Sequence, residues 1–143
     1  MQPRWKEGCK GMLTVNAIFA GFSGTLFAIL IKFNEASSCF YLFYLNSLLA
    51  LCAFYLFALA AEKITDALDE NKVETYIWSM LIYNFGVVCV LWSLAVFLWN
   101  QSYPKLALIP FTLCLYPWFY HIAWLLCCKL KRKEYKEDLL KTD

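Results

Sequence analysis

The side chains able to do chemistry in this sequence are few, and they avoid its long apolar runs. The one histidine, His121, follows Pro117 by four residues and shares its helix face. A proline removes an internal hydrogen bond from its helix. An imidazole beside it either satisfies a freed carbonyl or serves as a proton or ligand site, and both readings stand. No metal centre is expected, because one histidine among scattered cysteines lacks clustered ligands. Of the seven cysteines, Cys52, Cys89 and Cys114 lie in apolar runs, where a thiol behaves as a small hydrophobe. Cys9, Cys127 and Cys128 fall at ends assigned below to a reducing cytosol, and Cys39 has no obvious partner. Unpaired thiols are expected throughout. Cys127–Cys128, next to basic residues, is also a palmitoylation candidate.

Catalysis finds little to work with. Adjacent Cys127 and Cys128 have the wrong spacing for a Cys-x-x-Cys redox pair, and no nucleophile, base and orienting acid can be assembled. The apolar runs hold no Asp, Glu, Lys or Arg. That argues against a transporter working through an intramembrane carboxylate. Neither an enzyme nor a cofactor is expected.

Three other constellations remain. Asn16, Ala20, Ser23 and Phe27 recur at helical spacing, a weakly polar stripe. Around an axis of several copies it would line a pore with an apolar gate, with Glu35 at the mouth. Alternatively it makes ordinary contacts between helices, with Glu35 a solvated loop carboxylate. Ala17, Gly21, Gly24 and Ala28 form a neighbouring small-residue face suited to close helix packing. Finally, the acids Glu62, Asp66, Asp69 and Glu70 precede a tail carrying Lys129, Lys131, Arg132 and Lys133. The two groups either latch together or receive a cytosolic protein partner. The bland alternative leaves the acids solvated and the tail on anionic lipid.

The elements that carry these residues are membrane helices. The chain is 62% apolar and 17% charged over 143 residues, more apolar surface than a soluble domain of this length can hide. A net charge of +2 gives no reason to expect nucleic acid. After a basic lead-in at 1–10, where Trp5 is placed for headgroup depth, spans are expected at 12–31, 39–61, 76–99 and 106–128. Together with the cytoplasmic loop 62–75 they make a membrane domain of 11–128, followed by a charged tail at 129–143. The first half of that loop reads as a continuation of the second helix, turning near Asn71. Trp78 and Trp99 bracket the third span like an aromatic belt, and Pro117 is expected to kink the fourth. The first span is too long for a signal-peptide core and is expected to remain in the mature protein.

All but Lys32 and Lys105 of the 13 Lys and Arg residues lie in the lead-in, the 62–75 loop or the tail. By the positive-inside rule both termini and that loop are cytoplasmic.

Three short segments look similar to the Orai calcium-channel family. These are Ala20-Gly21-Phe22 in the first span, Leu56-Phe57-Ala58-Leu59 ending the second, and Ile109-Pro110-Phe111 in the fourth. The resemblance implies a four-span channel with cytosolic ends. The departures are that Glu35 lies beyond the position of that family's filter glutamate, the third span has no acid, and the extended basic helix is missing. Calcium selectivity is therefore not carried over. In layout alone the chain also resembles small four-helix membrane subunits of bacterial antiphage systems, including the membrane component of Kiwa. That likeness implies either a sensor acting through a cytosolic partner or a membrane-permeabilising effector.

The sequence thus predicts an all-α, integral membrane four-helix bundle with both termini cytoplasmic, in a plasma or bacterial inner membrane. The expected function is a non-enzymatic homo-oligomer, pore-like, in contact with the lipid bilayer. The competing class is a membrane sensor or anchor that recruits a cytosolic protein through its acidic loop and basic tail.

Overall fold

The computed structural model describes residues 4–34, 40–127 and 129–140, with side chains described over 4–33, 44–116, 133 and 136–140. Five helices account for the described residues other than the turns at 71–72 and 101–103: α1 (Arg4–Asn34), α2 (Phe40–Glu70), α3 (Val73–Asn100), α4 (Pro104–Cys127) and α5 (Lys129–Leu140). Three of them, α1 to α3, are long and apolar enough to cross a membrane. The apolar start of α4 is described with side chains only through Tyr116.

Two turns reverse the chain by the same device. Asn71 (φ 53°) ends α2 in the left-handed region, and the Lys72 N–H returns to the Ala67 carbonyl at 3.1 Å. Ser102 (φ 64°) ends α3 the same way, with Tyr103 N–H on the Leu98 carbonyl at 3.0 Å. Each is a Schellman closure that satisfies orphan carbonyls. Pro104 then begins α4 at the one helical position where a missing N–H costs nothing. The 62–75 segment is therefore helical except at Asn71 and Lys72.

Helix packing follows a seam in which buried positions alternate four and three apart. On α2 these are Asn46, Ala50, Ala53, Phe57, Ala60, Ile64 and Ala67, none more than 1% exposed. On α1 they are Trp5, Cys9, Asn16, Ser23, Leu26 and Leu30, with Met12 and Phe19 half-buried at the positions between. A period of 3.5 residues keeps a seam facing its partner along two slightly inclined helices. The alanines on α2 let its neighbours come close. Phe57 fills the space they leave, against Gly86 of α3, where an added Cβ would meet the ring at 2.8 Å. Phe19 and Tyr83 complete that layer, edge-on to each other with ring centroids 5.8 Å apart.

The helices pack largely in chain order. α2 lies between α1 and α3, and α4 packs on α3. Among the described residues α4 touches neither α1 nor α2, so the expected four-helix bundle is open on one side. Its α3 contacts run through Ala107 and Cys114, whose thiol lies 3.8 Å from the Val88 carbonyl. α4 stays helical through Pro117.

Candidate functional site

A gathering of charged and aromatic side chains sits at one end of the helices. The start of α1, the end of α2, the start of α3 and the end of α5 meet there. Its apolar centre is Trp5, Cys9, Ile64, Ala67, Val73 and Tyr76, with Leu139 of α5 packed against it. The Trp5 and Tyr76 rings are 6.2 Å apart. Gly8 admits the Tyr76 hydroxyl, since a Cβ there would stand 2.6 Å from that oxygen. Trp5 is 2% exposed, so it is a core residue of this cap and not a headgroup anchor. Trp78 and Trp99, by contrast, are exposed at the two ends of α3, about 31 Å apart at helical rise. That matches a hydrocarbon core of about 30 Å.

Ion pairs tie the cap together among the described residues. Asp66 pairs with Lys63 at 2.6 Å on its own helix, and Glu70 with Lys72 at 2.9 Å across the turn. The Asp66 hydrogen bond and charge hold the Lys63 ammonium above its usual pKa. Glu62 and Asp69 are exposed. The bonds that reach α5 come from Glu74 to Lys136 and from Arg4 to Asp138, the latter at 4.0 Å. Lys133 is exposed, and the side chains of Lys129, Lys131 and Arg132 lie outside those described. The residues missed by sequence reasoning are Arg4, Glu74, Asp138 and Leu139, whereas Lys136 belongs to the basic tail already singled out. The available signal was the Lys136-x-x-Leu139 spacing, which puts an amine and an apolar residue on one helix face.

The polar stripe of α1 is inside the chain. Asn16 and Ser23 are 0% exposed, and Ala20 and Phe27 are half-buried against α2 and α3. In this arrangement none of the four faces an open axis, which differs from the pore-lining expectation. The seam spacing accounts for this, because 16 and 23 fall in the 3.5-residue register that meets α2. Ser23 donates to the Phe19 carbonyl at 2.8 Å and Asn16 Nδ2 to the Met12 carbonyl at 2.8 Å. Asn16 Oδ1 is buried and accepts from no described group.

The small-residue face turns outward. Ala17, Gly21 and Ala28 are exposed, and a Cβ on Gly21 would meet nothing within 4 Å. Gly24 is half-buried, and a Cβ there would make ordinary contact with the Phe54 ring at 3.6 Å. Close packing inside the chain comes instead from the α2 alanines and Gly86. Glu35 lies outside the described residues, as do the side chains of Pro117 and His121.

Other buried polar groups stitch α2 to α3. The Ser93 hydroxyl donates to Asn46 Oδ1 at 2.7 Å. Ser79 caps its own turn on the Tyr76 carbonyl. Near the opposite end, Trp92, Val96, Trp99, Ala107 and Phe111 line an apolar cavity of about 310 Å³ between α3 and α4. The described thiols Cys9, Cys52, Cys89 and Cys114 are free. Among the described residues no three His, Cys, Asp or Glu side chains come together. No known protein family, curated protein or solved structure matches this chain.

Proposed function

We propose that this chain is a non-enzymatic membrane protein of four spans, α1 to α4. The cap end, which holds the N-terminus, the α2–α3 turn and α5, lies in the cytosol. On this reading the protein associates with copies of itself through the outward face of α1 and offers the cap to a cytosolic protein.

The observation that carries the self-association is the outward placement of Thr14, Ala17, Gly21, Thr25 and Ala28. Both threonine hydroxyls are turned back onto their own helix, on the Lys10 and Gly21 carbonyls, which leaves a low, nearly apolar surface. In lipid a face of this kind gains little from acyl chains and more from a second helix that can approach closely. The exposed Trp78 and Trp99 support the span depth, and the Lys and Arg placement supports the orientation.

One observation favours a pore as a second reading. A carbonyl oxygen shut in apolar surroundings without a donor costs about 1–3 kcal/mol, and Asn16 Oδ1 is in that position. A turn of α1 that brought Asn16 and Ser23 to a wet axis would remove the cost. Reconstitution of the chain alone in a planar bilayer separates the readings. The anchoring subunit gives a silent bilayer, and the pore gives conductance that Asn16→Leu alters.

A further inference from the structure

We infer that the first half of α5 binds anionic phospholipid headgroups of the leaflet on its own side; this rests on the membrane reading above. The inference comes from how charge and position divide along one short helix.

The second half of α5 belongs to the protein. Lys136 bonds to Glu74 in the first turn of α3, Asp138 pairs with Arg4 at the tip of α1, and Leu139 enters the cap core. The first half is different in composition. Residues 129–133 hold Lys129, Lys131, Arg132 and Lys133 and no acid, while every acid of α5 lies at 134 or beyond.

Position fixes which surface that basic half meets. Cys114 of α4 sits at Val88 of α3, and the Phe111 ring lies 5.7 Å from that of Trp92. Carrying this antiparallel register onward brings the end of α4 level with the first turn of α3, just past the exposed Trp78. α5 therefore leaves the apolar layer at Lys129 and runs toward the tip of α1, with its basic turn at headgroup depth. Four basic residues directly after a span are the composition that an anionic leaflet attracts.

The test is peptide-resolved hydrogen exchange on the full chain in two kinds of nanodisc, pure phosphatidylcholine and phosphatidylcholine with phosphatidylglycerol. Residues 129–133 are expected to exchange several-fold more slowly in the anionic discs. High salt should remove that difference, as should the triple substitution Lys131→Gln, Arg132→Gln, Lys133→Gln. Residues 136–140 should be protected equally in both discs, because the cap holds them. Equal exchange of 129–133 in the two lipids, or a lipid difference that survives the triple substitution, overturns the inference. Alkaline carbonate extraction keeps the two failures apart. A chain washed out of membranes by carbonate defeats the membrane reading itself, whereas a retained chain with lipid-independent exchange defeats only the role of α5.

Discussion

The Ser93 hydroxyl of α3 donates to Asn46 Oδ1 of α2 at 2.7 Å, and both residues are enclosed by the helices that carry them. Such bonds between membrane helices contribute about 0.6 kcal/mol on average and roughly 1.7 at most. A double-mutant cycle with Asn46→Ala and Ser93→Ala should give a coupling within that range, read from unfolding of the protein in detergent. A coupling of zero would mean that Ser93 is satisfied by the Asn46 backbone carbonyl, 3.1 Å away, which Asn46→Ala leaves in place.

Gly86 and Phe57 make a sharper test of packing. Gly86→Ala puts a Cβ 2.8 Å from the Phe57 ring, and overpacking of this kind costs about 1–3 kcal/mol. Phe57→Leu in the Gly86→Ala background should recover part of that loss. Thermal unfolding of the single and double variants measures it, and a double variant less stable than the sum of its parts would contradict the contact.

Asn16 separates stability from function. Its Oδ1 accepts from no described group, so Asn16→Leu should leave stability unchanged or raise it by about 1 kcal/mol. A variant that is more stable yet altered in the bilayer would mark Asn16 as held for function. A clearly destabilised variant would mean that the amide is satisfied in the native membrane.

In the cap, the apolar anchor should outweigh the ion pairs. Glu74 and Lys136 are both substantially exposed, and exposed pairs contribute at most about 1 kcal/mol. Leu139→Ala removes apolar contact with the Trp5 cluster and should loosen α5 by on the order of 1–2 kcal/mol. Glu74→Gln should loosen it by less. Hydrogen exchange across 136–140 ranks the two substitutions, and the reverse order would overturn this view of the cap.

How much of this was legible beforehand depends on what each face of a helix offers. The apolar lengths, the turn chemistry at Asn71 and the belt residues Trp78 and Trp99 follow from residue type and could be read directly. Which face of α1 turns inward could not. Helices that are apolar all round carry little amphipathic signal, so Asn16 and Ser23 read equally well as pore lining or as buried contacts. The deciding pattern was the four-three run from Asn46 to Ala67 on α2, which matches a second such run on α1 from Trp5 to Leu30. Seen alone, Trp5 is a headgroup anchor in a basic lead-in. Its burial emerges only when Ile64, Val73 and Leu139, far apart in sequence, converge on it. The ion pairs were obscured for a related reason. Sign alone joins the acids of 62–70 to the basic tail, but it does not show that Asp66 and Glu70 pair with Lys63 and Lys72 or that Glu74 reaches Lys136 of α5.

The central claim is that copies of the chain meet through the outward face of α1. The most direct measurement is native mass spectrometry of the protein released from nanodiscs, for the parent and for Ala17→Leu with Gly21→Leu. The account predicts a defined oligomer for the parent. It also predicts a folded monomer for the variant, because Gly21 faces open space within the chain and the substitutions leave its own packing intact. A monomeric parent, or a variant that assembles like the parent, would contradict it.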